Sequence, residues 1–214
     1  MENGLLTQFE GVKDINKGSL VVLAARPFFG KTTFSYNIAF DMIENNQKVK
    51  IYSFEREKEI IEDMLRTKSK HKYYNQKNIN IDFNPDNTIE DILNNSDNYD
   101  LIIIETLQLI KDEDVINKLK DLATRTNSVV LLISELPKEI DERKDKHPRL
   151  IDIDDNIVKH VDIVLLMYGD YYYKEDYSKG RIINLKMIDI NNNNAKKYKL
   201  LMHQDRITFT NYKD

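Results

Sequence analysis

The sequence predicts an α/β fold, a mostly parallel central sheet flanked by helices with a C-terminal antiparallel extension. Two observations carry this. Short apolar runs of strand length alternate with segments whose apolar residues recur at helical spacing. The last third abandons that alternation for successive strands joined by turn residues.

The elements follow in order. Leu20-Val21-Val22-Leu23-Ala24 reads as a buried strand, and Phe34, Ile38, Ala39 and Met42 then recur with a helical period. Residues 49–54 form a second strand. Ile60, Ile61, Met64 and Leu65 mark a second helix with charges on its other face. Ile79-Asn80-Ile81-Asp82-Phe83 alternates like a strand with one wet face. Ile89, Ile92 and Leu93 predict a short helix with Thr88 as its N-cap. Leu101–Ile104 is a third core strand, and Val115, Ile116, Leu119, Leu122 and Ala123 line one face of a helix. Residues 129–133 and 163–167 are further core strands. Residues 181–190, 197–203 and 206–210 read as strands joined by Asn191-Asn192-Asn193-Asn194 and by a tight Gln204-Asp205 turn, an antiparallel extension at one sheet edge.

Length and composition bound the function. The 214 residues are expected to form one domain, 1–214, burying about 70% of the unfolded surface. With 41% hydrophobic and 32% charged residues the chain is globular rather than disordered. It has no cysteine, which excludes a disulfide scaffold, a thiolate zinc site, a cysteine nucleophile and an iron–sulfur centre. The 4 histidines are scattered, against a His-only metal site. The apolar run 101–104 is too short for a membrane span, and the N-terminus has no signal-peptide pattern, so the expected compartment is the cytoplasm. A net charge of −4 argues against bulk electrostatic binding to nucleic acid while leaving room for a local basic groove.

Ala24-Ala25-Arg26-Pro27-Phe28-Phe29-Gly30-Lys31-Thr32-Thr33 stands between the first strand and the first helix and reads as a phosphate-binding loop with Ala25 in place of the first glycine. The chemistry requires these residue types. Backbone N–H groups of the loop and helix N-terminus cradle a phosphate, and Gly30 lets the backbone approach closely. Lys31 reaches the β- and γ-phosphates, and the Thr32 hydroxyl is offered to Mg²⁺.

At this point the sequence resembles the C-terminal ATPase domain of DnaB-type replicative helicases, whose loop also tolerates alanine at the first glycine. The resemblance rests on the loop, on the lead-in Phe9-Glu10-Gly11-Val12-Lys13-Asp14 and Lys17-Gly18-Ser19-Leu20, and on Tyr52-Ser53-Phe54-Glu55. It extends through Ile104-Glu105-Thr106-Leu107-Gln108-Leu109, Leu132-Ile133-Ser134-Glu135-Leu136, the 143–148 segment and Val161-Asp162-Ile163-Val164, in the family's order. It implies a RecA-like P-loop NTPase fold, with ATP and Mg²⁺ as ligands. Ala25, Arg26, Pro27, Gly30, Lys31, Thr32 and Thr33 would bind the nucleotide. Glu55 would be the general base, beside Lys31 and Glu105 in catalysis, and Thr32 and Glu105 would hold Mg²⁺. Lys186 would reach a neighbouring subunit's nucleotide.

The departures set further expectations. Glu105 replaces the family's Walker B aspartate and reaches one methylene further. Glu135 replaces a glutamine and, if it faces the nucleotide, repels phosphate. Ile188 stands where the family supplies a trans arginine, so hydrolysis is expected to be slow unless Arg181 or Arg206 supplies that charge. The family's N-terminal domain and linker helix have no counterpart in this sequence, and the isolated domain is expected to be monomeric. The turn Lys111-Asp112-Glu113-Asp114 is short and acidic where the family carries arginines. Lys138, Arg143, Lys144 and Lys146, with Arg149, form the candidate nucleic-acid loop, interleaved with acids; it reads either as solvated surface or as weak contact with single-stranded DNA. Tyr171-Tyr172-Tyr173 is weighted towards edge packing or adenine contact over nucleic-acid stacking. Asp152, Asp154 and Asp155 read as a helix N-terminus.

The reading that follows is an ATP-binding helicase-like domain that hydrolyses ATP in DNA replication, with ATP or ADP, single-stranded DNA and replication proteins as partners. The alternative is a degenerate nucleotide-binding RecA-fold protein without unwinding activity, acting as a binding or regulatory partner. A RecA-fold protein outside replication stands third.

Overall fold

Six consecutive apolar residues make β1 (Leu20–Ala25), and all of them are buried. A strand so apolar must be covered on both faces, the condition of a strand central to a parallel sheet. Here β1 lies between β5 (Val129–Glu135) and β6 (Ile163–Tyr168), parallel to both. The computed structural model describes residues 4–69, 74–205 and 207–212. Arg206, expected to open the last strand and weighed as a source of charge, lies outside them, as do residues 1–3.

The sheet has nine strands in the order β3-β2-β4-β5-β1-β6-β7-β8-β9. β2 (Val49–Ser53), β3 (Ile79–Phe83) and β4 (Leu101–Ile104) complete the parallel part. β7 (Arg181–Asp189), β8 (Asn194–Met202) and β9 (Phe209–Asn211) form the antiparallel extension. Period-2 alternation sends Val21, Leu23, Leu101, Ile103, Val129 and Leu131 into one core and Leu20, Val22, Ile102, Ile104, Val130 and Leu132 into the other. Helices α1 (Lys31–Glu44) and α2 (Lys58–Lys68) feed the first core. Helices α3 (Ile89–Asn94) and α4 (Val115–Thr126) feed the second. Thr88 caps α3 as expected, in a capping box with Asp91.

Among the differences from expectation, two strand starts and one helix have a visible cause. β8 starts at Asn194 rather than near 197, because its first residues are mostly polar and exposed along the edge of the sheet beside β7, a pattern that hydropathy does not flag. β9 starts at Phe209, because the Asp205 carboxylate accepts from the N–H groups of Ile207 and Thr208 and holds them in the turn. Of the acidic cluster, Asp154 caps α5 (Asp155–Val158), a single turn, while Asp152 pairs with Arg143 at 2.5 Å.

The last strand is fastened to α1. The Asn37 amide donates to the Ile207 carbonyl at 2.7 Å and its oxygen accepts from Phe209 N–H at 2.9 Å. The Phe209 ring meets Phe34 at 5.4 Å.

Candidate functional site

β1 ends at Ala25 and α1 begins at Lys31, so the chain must turn within five residues at the C-terminal edge of the sheet. Phe28 at φ 68 and Gly30 at φ 79 make that turn, both left-handed. Phe29 anchors it: its ring is 1% exposed and packs on Tyr168 and on Tyr171, Tyr172 and Tyr173 of α6 (Asp170–Lys174). The tyrosine run is thus the packing that holds the loop. Phe28 projects at the tip, 79% exposed, nearly parallel to Tyr172 at 6.4 Å.

The N-terminus of α1 has no side-chain cap and no acid in its first turn. Its first N–H groups and the positive end of its dipole therefore face a cleft of about 710 Å³. Pro27, Gly30, Lys31, Thr32 and Thr33 line this cleft from the loop side. Glu55 and Arg56 enter from the end of β2, Thr106 and Gln108 from the end of β4, and Glu135 from the end of β5. Tyr171, Tyr172, Tyr177 and Arg181 close the far side.

The Lys31 ammonium donates to the carbonyls of Ala25 at 3.1 Å and Arg26 at 3.3 Å. Burial lowers its pKa to about 8; Glu135 opposes that shift, and the charges of Arg26 and Arg56 add to it. Arg26 turns away from the cleft: it donates to Asp141 from Nε at 3.1 Å and from Nη2 at 3.0 Å, and to the Leu136 carbonyl at 2.8 Å. Its Nη1 is also 3.7 Å from Glu135, so that carboxylate, which does line the cleft, has a counter-charge. Ala25 lies within the core.

Glu105 is the only acidic residue in the buried class among the described residues, 1% exposed. Oε1 accepts from the Tyr36 hydroxyl, Oε2 lies 2.8 Å from Ser53 Oγ, and Arg56 Nη1 stands 3.7 Å away. Burial pushes its pKa up, with the Tyr36 and Ser53 hydrogen bonds opposing. With its carboxyl held by Tyr36 and Ser53, Glu105 is not among the residues that line the cleft. Among the described residues no cluster of three or more carboxylates or histidines could hold a metal. The donor set fits Mg²⁺ only in the form that takes one protein hydroxyl, Thr32, and draws its other oxygens from phosphate and water.

Lys186 is in the middle of β7, paired with Leu166 and Lys197, and is not brought to this cleft. Ile188 packs against the second core. Of the candidate nucleic-acid loop, Arg143 pairs with Asp152, and Lys146 donates to the Asp141 carbonyl at 2.8 Å and lies over the Tyr173 ring. Lys138 and Lys144 are exposed. In the acidic turn, Asp112 is closed onto Lys118 at 2.7 Å. Sequence reasoning passed over Arg56, although it adjoins Glu55, and over the cleft face of Gln108, whose amide donates to Ser134 at 2.9 Å.

The family described as DnaB-like helicase C terminal domain matches residues 4–113 and 60–211. The replicative DNA helicase DnaB of Geobacillus stearothermophilus is 27% identical over 213 residues, covering 79% of this chain and 47% of the relative. The chain spans about half the length of the curated relatives it matches. Among solved structures, one isolated ATPase domain superposes with a TM-score of 0.82 at 21% identity, covering 99% of this chain and 93% of that one. A DnaB-like replicative helicase studied for its interactions with primase gives 0.80 at 20% identity, covering 92% and 58%. Among the described residues no helix is long and apolar enough to cross a membrane.

Proposed function

The chain belongs to the DnaB-like helicase C-terminal domain family, and on that premise we propose that it is a single ATPase domain, 1–214, which binds ATP and hydrolyses it in DNA replication. One observation carries this reading: the uncapped N-terminus of α1, with Gly30, Lys31 and Thr32, opens on a cleft that also receives Glu55.

Each residue then has a task. The N–H groups of Gly30, Lys31, Thr32 and Thr33 hold the β-phosphate, and Lys31 exchanges its loop carbonyls for phosphate oxygens. Glu55, exposed at the cleft, orients the attacking water and takes its proton. The Thr32 hydroxyl would hold Mg²⁺, which neutralises charge on the β- and γ-phosphates when bound. Glu105 lies behind that position, with its carboxyl held by Tyr36 and Ser53. Pro27 and the Tyr172 and Tyr177 rings at the cleft rim offer apolar surface to the base.

Turnover is slow, because Ile188 offers a neighbouring subunit no donor and Lys186 is a point charge without a fork. DNA contact is weak and centred on Lys138 and Lys144. The partners belong to the replication machinery, the compartment is the cytoplasm, and the isolated domain is a monomer. The test is calorimetry with ATP and ADP on the wild type and Lys31→Ala. Binding that disappears in Lys31→Ala is the expected result; a wild type that binds neither nucleotide at millimolar concentration refutes the assignment.

A further inference from the structure

Among the described residues, the cations lining the cleft are Lys31, Arg56 and Arg181. Two of them are placed by what they already touch. Lys31 sits on the loop carbonyls, at the end where the N–H groups of α1 gather. Arg181 lies over the Tyr177 ring at 5.6 Å, at the rim. Arg56 is different. It occupies the turn after β2, one residue beyond Glu55, and its side chain is 38% exposed to the cleft.

That turn is tightly specified. Ser53 Oγ accepts the Arg56 N–H at 3.0 Å and lies 2.9 Å from the Arg56 carbonyl. The guanidinium then meets the buried Glu105 carboxyl at 3.7 Å, and that carboxyl is fixed from α1 by Tyr36 and from β2 by Ser53. One edge of the planar fork is therefore directed at a rigid anchor, while the side chain as a whole opens on the cleft. A fork of this kind matches the paired oxygens of a phosphoryl group, which an ammonium cannot do.

We propose that Arg56 contacts the terminal phosphate of a nucleoside triphosphate bound in this same chain, with Glu105, Ser53 and Tyr36 as its positioning residues. The inference rests on the reading of the cleft as an ATP site and adds a residue to it. Lys31 and the α1 N-terminus serve the inner phosphates that ATP and ADP share. Arg56, beside the residue that handles the attacking water, serves the phosphate that only ATP has. The charge of Arg56 contributes to the lowered pKa of Lys31, so the two cations feel each other across the cleft, and a phosphate between them relieves both. An arginine supplied in cis stabilises charge on the transferring group without a neighbouring subunit.

The test compares wild type, Arg56→Ala and Arg56→Lys for binding of ADP and of a non-hydrolysable ATP analogue by calorimetry, and for ATP turnover. Thermal melting confirms that the variants fold. The expected result for Arg56→Ala is affinity for the analogue down at least tenfold, ADP affinity within about twofold, and turnover down by about 10²-fold. Arg56→Lys restores analogue affinity in part and leaves turnover low. Equal weakening of ADP and analogue, or no change in either, overturns the role of Arg56. A wild type that binds neither ligand instead overturns the reading of the cleft on which the inference stands.

Discussion

Burial holds Lys31 near a pKa of about 8 instead of 10.5, and this single residue pulls binding and stability in opposite directions with pH. A phosphate beside the ammonium favours the protonated form. ADP affinity, measured without metal in EDTA, is therefore expected to be flat on the acid side and to fall as pH rises through about 8. Above that point binding takes up close to one proton, seen as a buffer-dependent enthalpy. The fold responds the other way. Between about 8 and 10.5 the unfolded lysine binds more protons than the folded one, so the Lys31 contribution to stability rises with pH. An ADP affinity unchanged to the alkaline end of that window would separate Lys31 from the phosphates. Gly30 makes a second prediction. At φ 79, a Cβ there would stand 3.0 Å from Phe209 Cζ and 3.3 Å from Met202 Sδ. Gly30→Ala is expected to lose about 1–3 kcal/mol in denaturant unfolding, from backbone strain and crowding together. Gly30, Lys31 and Thr32 were legible because glycine is scarce and the triplet falls between a strand and a helix. The fate of Glu105 was not. Its partner Tyr36 lies on a helix 69 residues earlier in the chain, and no local pattern joins the two.

The helices contrast in how their N-termini are satisfied. In α3, Thr88 accepts from Asp91 N–H at 3.2 Å while the Asp91 carboxylate accepts from Thr88 N–H at 2.9 Å. This helix closes its own end and leaves nothing for a ligand. Thr88→Ala is expected to cost about 1 kcal/mol in equilibrium unfolding while leaving nucleotide affinity unchanged. Loss of affinity would mean that α3 communicates with the cleft. α1 leaves its end open, in keeping with a site rather than a cap. The parallel strands were legible because burial on both faces demands unbroken apolar runs. The start of β8 was hidden because its first residues are exposed at the sheet edge and carry no hydropathic signature.

For the molecule as a whole, charge is balanced locally rather than gathered into a groove. The 32 basic and 36 acidic residues interleave, and Arg143, Lys146 and Lys118 are each engaged by neighbours. Among the described residues of the candidate loop only Lys138 and Lys144 remain free to displace counterions, so single-stranded DNA should bind weakly there, with a log–log salt slope of about −1 to −2 in fluorescence titrations. A steep slope with tight binding at physiological salt would contradict this distribution. If the terminal phosphate is met within one chain, ATP turnover per chain should stay flat across a protein concentration series. A steep rise would place a donor on a neighbouring copy. The sequence could order the strands along the chain. It could not bring β9 back beside α1, since that closure depends on Asn37, an ordinary polar residue inside a helix.

That closure makes the tail of the chain a lever on the phosphate loop. Asn37, about two turns along α1 from Lys31, grips the chain at the entry to the strand that starts at Phe209, through Ile207 and Phe209, and the Phe209 ring fills the space over Gly30. Traction applied beyond Asn211 would load the β8–β9 ladder first, then the Asn37 amide, and only then withdraw the ring from the glycine. A protease cut in the turn before Phe209 would slacken the same linkage.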